Sequence, residues 1–152
     1  MTGRTKKMIS ELDRQAQKPF TKMCQLLDEA LGEEGYYVFE GRRSQAVQEA
    51  YYAQGREILA SVNEKRVKAG LYLLRNDKQN YKITWTMNSK HLIGVAMDIL
   101  PLTADGNPTW DLAHYRQQFE TIRNCGKEAG LECGADWETD KQDWPHYELK
   151  GE

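Results

Sequence analysis

Residues 89–100 read Ser-Lys-His-Leu-Ile-Gly-Val-Ala-Met-Asp-Ile-Leu. From Gly94 to Leu100 an extended chain would place Val95, Met97 and Ile99 on one side and Ala96, Asp98 and Leu100 on the other. That pattern predicts a short strand with a carboxylate set into it. His91 stands seven positions before Asp98. A fully extended stretch would hold the two roughly 20 Å apart, too far to share a metal ion. A bend between them removes the obstacle. Gly94 is the residue that permits it, and Ala96, on the strand face of Asp98, leaves space beside an ion.

Working outward, Phe20, Met23, Cys24, Leu26, Leu27, Ala30 and Leu31 keep a helical spacing, which predicts a helix from about Ser10 to Leu31 closed by Gly32. Tyr36 to Glu40 is aromatic and β-branched between Gly35 and Gly41, so it reads as a strand delivering Arg42 and Arg43 to its end. Ser44 caps a predicted helix running through Ala60, and Lys65 to Tyr81 reads as loop with a turn of helix. Lys82 to Thr86 is strand-like, and the segment after Pro101 is a loop. Leu112 to Ala129 suits a helix ended by Gly130, and the Gly-, Trp- and Asp-rich tail from Leu131 suits loops or short strands. Helices bracketing short strands predict an α+β fold with helices around a small, mainly antiparallel sheet.

The 152 residues fit one domain, expected to span 1–152 with an N-terminal helical segment over 1–34. A formal net charge of -2 argues against a nucleic-acid binder. Cys24, Cys125 and Cys133 are odd in number and form no C-x-x-C pair, so reduced thiols are expected. No apolar run reaches the roughly 18 residues of a membrane span, and the start lacks the apolar core of a secretory signal. Folding in the cytoplasm is therefore expected.

The chain has three histidines. His146 lies in Asp143-Trp144-Pro145-His146-Tyr147-Glu148, where Pro145 biases Trp144 towards extended backbone. Catalytic zinc takes three protein ligands of His, Cys or carboxylate type and leaves a fourth position for water. His91, Asp98 and His146 are such a set, and Asp143 is an acid placed to move a proton beside it. Ser89 is better read as supporting the His91 loop than as a nucleophile, because a His that binds zinc cannot also act as its base. His114, three positions after Asp111, reads as an exposed helix residue. Glu148 either orients His146 or a substrate amine or lies on a strand surface, and Trp85, Trp137 and Trp144 either line a cleft or pack in the core.

Together these segments resemble the zinc peptidases that include phage L-alanyl-D-glutamate endopeptidases and bacterial D-alanyl-D-alanine carboxypeptidases and dipeptidases. The family's Ser-x-His-x-x-Gly-x-Ala-x-Asp pattern is complete from Ser89 to Asp98. Its second box is matched by Asp143, Pro145, His146, Tyr147 and Glu148. Upstream, Glu40-Gly41-Arg42-Arg43-Ser44 with Gln48 looks like the family's Glu-Gly-x-Arg-Ser segment and following helix. Gly134-Ala135-Asp136-Trp137 resembles a Gly-Gly-Asp-Trp stretch, with Ala135 in place of a glycine.

The resemblance implies the D-alanyl-D-alanine peptidase and hedgehog-like fold, and one catalytic zinc ion on His91, Asp98 and His146. It further implies Asp143 as base, Arg43 facing substrate, and Ser89, Gln48, Trp137 and Glu148 in support. The implied substrate is the stem peptide of bacterial peptidoglycan, cut at the L-alanyl-D-glutamate bond by a monomeric phage endolysin. Such an enzyme waits in the host cytoplasm and reaches the wall through a membrane pore. Cleavage of D-alanyl-D-alanine by the same site is the nearest rival, and a non-catalytic zinc module is a more distant one.

Overall fold

In the computed structural model, which describes residues 1–84 and 86–151, the aromatic and β-branched runs form β1 (Tyr36–Glu40), β2 (Ala96–Pro101), β3 (Glu132–Cys133) and β4 (His146–Glu148). They make one antiparallel sheet in the order β1-β2-β4-β3. The described helices are α1 (Gly3–Ser10), α2 (Arg14–Leu31), α3 (Gln45–Ala53), α4 (Leu59–Lys68) and α5 (Arg116–Glu128). This is the α+β class expected from the sequence. No helix among the described residues is long and apolar enough to cross a membrane. The chain divides into two compact units, Met1–Arg42 with Ile93–Glu152, and Arg43–Leu92.

In the first unit α1, α2 and α5 accompany the sheet. Val38, Met97, Ile99 and Tyr147 point from three strands into a core shared with Phe20, Met23, Cys24 and Leu27 of α2 and Ile122 and Cys125 of α5. This is the apolar stripe read from α2, and its burial is the main stabilising contribution of the unit. The predicted helix from Ser10 begins instead at Arg14. The Asp13 carboxylate accepts from the Gln15 backbone N–H at 3.0 Å and so starts a new helix, while α1 runs separately before it, capped by Thr2. The predicted helix from Leu112 begins at Arg116, because Asp111 holds the preceding turn by accepting from the His114 N–H at 3.2 Å.

In the second unit Ser44 caps α3 as predicted, accepting from the Val47 N–H at 3.1 Å. The helix does not continue to Ala60, because Gly55 adopts φ +80° and a Cβ there would lie 2.2 Å from the Lys82 nitrogen. Close passage of the 81–82 backbone thus ends α3, and α4 begins afresh at Leu59. The stretch read as loop from Lys65 belongs to α4 as far as Lys68, and one short 3₁₀ turn follows at Asp77–Gln79. The described residues of 82–86 form no strand. Trp85 lies outside the described residues, so its predicted part in a cleft or core is not described.

Candidate active site

The register of β2 on β4 builds half of the site. Asp98 lies directly opposite His146, and Ala96 opposite Glu148. Paired residues of antiparallel strands project to the same face with Cβ atoms about 5 Å apart, so both acids flank one imidazole. His146 Nδ1 meets Asp98 Oδ1 at 3.2 Å and Nε2 meets Glu148 Oε1 at 2.8 Å. Glu148 is buried rather than on a strand surface, and its carboxylate lies against the His146 ring. Ala96, opposite Glu148 in the ladder, is fully buried.

A bulge between Val38 and Glu40 in β1 sets Glu40 opposite Asp98. Strict alternation would have put Phe39 there, so the extra residue brings a third acid to the Asp98 face.

The segment after β3 frames the histidine. Trp137 lies against the His146 ring, with centroids 5.1 Å apart, and its indole N–H donates to Glu132 Oε2 at 3.0 Å. Asp143 is fixed through its backbone, donating to the Gly134 carbonyl at 3.0 Å and accepting from the His146 N–H at 3.1 Å. A Cβ on Gly134 would meet the Asp143 carbonyl oxygen at 2.2 Å, so only glycine fits there. Ala135, the departure from the family's pattern, has no positive φ and keeps the path intact. Trp144 packs instead on α5, edge-on to Phe119 at 6.5 Å and under the Arg116 guanidinium at 4.6 Å.

In the second unit Ser89 Oγ accepts from the His91 N–H at 3.2 Å, and the Ser89 carbonyl accepts from the Leu92 N–H at 3.0 Å. Ser89 therefore shapes the turn that carries the buried His91. The Arg43 N–H donates to the His91 carbonyl at 2.9 Å, and its guanidinium donates to Gln48 Oε1 at 2.6 Å and Ser89 Oγ at 3.5 Å. Gln48 is fully buried and donates in turn to the Thr86 carbonyl at 2.5 Å. Tyr51, which the sequence reading passed over, lies under the same guanidinium at 5.0 Å. Its spacing of eight from Arg43 carried no signal. Gly94 has φ +72°, so the required bend is present, and its carbonyl accepts from the Asp13 N–H at 2.9 Å.

His91, Asp98 and His146 each offer one ligand atom, all within 4.8 Å of one another, and this group could hold a metal ion. Two imidazoles and a carboxylate are a donor set suited to zinc. Residues 82–149 match the profile of a family described as D-alanyl-D-alanine carboxypeptidase. That segment is similar to this family over less than half of the chain. The matched span includes Ser89, His91, Asp98, Trp137, Asp143, His146 and Glu148, and leaves Arg43 and Gln48 before it. Among solved structures, the Serratia marcescens L-Ala D-Glu endopeptidase ChiX shares the fold at a TM-score of 0.58 and 24% identity, over 99% of this chain and 89% of that one.

The imidazole sits in opposing fields. Burial pulls its pKa down, but the carboxylates of Asp98 and Glu148 outweigh it, and the pKa is pushed up to about 9. At neutral pH the metal-free ring therefore carries both protons and donates to both acids. A pKa raised by folding stabilises the protein fully below the unfolded value, about 6.5, and that contribution is lost as pH rises through about 9. Metal-free protein should therefore melt at progressively lower temperature from pH 6.5 to 9, and His146→Gln should flatten the profile. Calorimetry in chelator checks this, and a flat wild-type profile would contradict it.

Proposed function

We propose that this protein is a zinc-dependent endopeptidase that cleaves the L-alanyl-D-glutamate bond of the peptidoglycan stem peptide and serves as a phage endolysin. The observation that carries the reading is the grouping of His91, Asp98 and His146 with ligand atoms within 4.8 Å. The family match supports peptide hydrolysis. The shared fold of an L-Ala D-Glu endopeptidase supports the choice of bond.

In this reading the three residues hold one zinc ion, which would polarise the scissile carbonyl and acidify a water molecule. Asp143 would be the group that accepts a proton from the attacking water and passes it to the leaving amine. Arg43 steadies the carbonyl oxygen as negative charge grows on it, with Gln48 beneath holding the guanidinium fork in one orientation. Glu148 keeps the proton on His146 Nε2, leaving Nδ1, on the Asp98 side, as the atom for the ion. Trp137 restrains the ring from its flank, and Ser89 holds the His91 turn. The protein works as a monomer, kept from its substrate in the host cytoplasm until a membrane pore opens.

The family description favours a second reading, removal of the terminal alanine from D-alanyl-D-alanine by the same residues. Digestion of purified sacculi decides between them by mass spectrometry. The expected result is new alanine carboxyl termini left on the glycan strands and free stem peptides beginning with D-glutamate. Release of free D-alanine with the L-alanyl-D-glutamate bond intact would overturn the choice.

A further inference from the structure

Six of the large apolar side chains that stand exposed come from one stretch of the second unit: Ile58, Val67, Tyr72, Leu73, Tyr81 and Ile83. Tyr72 is 93% exposed and Ile58 75%. Apolar residues in an irregular segment usually turn inward, and here polar clamps hold the inner side instead. The Asn63 side chain both accepts from the Leu74 N–H at 2.8 Å and donates to the Leu74 carbonyl at 3.1 Å. Arg66 donates to the Tyr72 carbonyl at 2.6 Å. On the other arm, Asn80 accepts from the Gly55 N–H at 2.7 Å and donates to the Glu57 carbonyl at 2.9 Å. The first arm is thus tied to α4 through its backbone and the second to the α3–α4 connection through the Asn80 side chain, and Tyr72, Leu73, Tyr81 and Ile83 are left exposed.

Positive charge is concentrated in the same stretch of chain. Residues 43–92 carry nine Lys or Arg and four Asp or Glu, although the whole chain has a formal net charge of -2. From Lys65 to Lys82 there are six basic residues and a single acid, Asp77; Lys65 and Lys68 pair with Glu57 at 2.8 Å and Glu64 at 3.7 Å, which leaves Arg75 and Lys78 among the cations of the segment outside those pairs. Aliphatic and tyrosine side chains interleaved with long cationic ones match a lipid interface, where the apolar groups enter the headgroup boundary and the cations meet anionic headgroups. A sugar polymer would use the tyrosines but gain little from Ile58, Val67, Leu73 and Ile83.

We infer that the Ile58–Ile83 surface docks the protein peripherally on an anionic phospholipid membrane. Docking of this kind needs no zinc and no hydrolysis, so it stands or falls apart from the proposed activity. Co-sedimentation of the full chain with phosphatidylglycerol vesicles, against phosphatidylcholine vesicles, tests it.

The protein is expected to partition at least roughly tenfold more strongly onto the anionic vesicles, and to be released as salt is raised. Tyr72→Ser with Leu73→Ser should lower binding about tenfold through lost insertion, and Arg75→Glu with Lys78→Glu should do so through lost attraction. Melting curves confirm that both variants remain folded. Equal binding to both vesicle types, or unchanged binding by both variants, would overturn the inference. So would retention on purified sacculi that depends on Tyr72 and Leu73 while vesicles retain nothing, which would assign the surface to the wall polymer.

Discussion

An Asp143→Ala protein is expected to bind zinc as the parent does and to hydrolyse its peptide about 10²- to 10⁴-fold more slowly, the range general acid–base groups contribute. The structure separates the two properties. Asp143 is exposed and is held in place through its backbone, by the Gly134 carbonyl on one side and the His146 N–H on the other. Alanine keeps both backbone bonds and removes only the carboxylate. His146→Ala is the contrasting case, because it removes a proposed ligand and should lose metal and activity together. Measuring bound zinc and peptide release on both variants gives a two-by-two result, and an Asp143→Ala enzyme with parental turnover would refute the base assignment.

Gly126→Ala should destabilise the fold by about 1–3 kcal/mol, the usual range for overpacking a core. The added methyl would sit 2.6 Å from Tyr147 Cε1, 2.7 Å from Cδ1 and 3.3 Å from Cys133 Sγ. Tyr147 has no exposed surface and lies in the shared core, so its ring cannot swing clear without moving β4. His146 and Glu148 flank it on that strand, so the displacement should reach the imidazole as well. The expected melting shift is about 2–12 °C for a chain of this size, with weaker zinc binding in the same variant. Tyr147→Leu in the Gly126→Ala background should recover part of the loss, because the double change removes the clash that the single one creates. Parental melting in Gly126→Ala would show that the Tyr147 ring moves aside without cost.

Much of this architecture was legible in the residues. Tyr36–Glu40 emerged with the predicted bounds because glycines bracket an uninterrupted β-prone run. The Gly94 bend was legible because distance alone demanded it. What the sequence hid was set by partners distant in the chain. The end of α3 depends on how closely the 81–82 backbone passes Gly55, which an isolated glycine in a helical pattern signals only weakly. The orientation of Glu148 depends on which residue faces it across the ladder, and pairing is not written in local periodicity. The bulge that brings Glu40 opposite Asp98 could not be read either, because an extra residue in a strand looks the same as a regular one until its neighbour is known.

Asp98 and His146 face each other only when β2 and β4 are in register, and they are 48 positions apart in the chain. An ion gripped by both would then act as a removable staple. It would close a long loop in a molecule whose three cysteines are all free thiols, and a one-residue slip of β4 would turn His146 to the opposite face and open it. Binding to the folded chain alone raises stability with the logarithm of free ligand concentration. The stability of the fold would then follow the zinc level of its compartment: high where zinc is buffered high, and low wherever a stronger chelator competes for it.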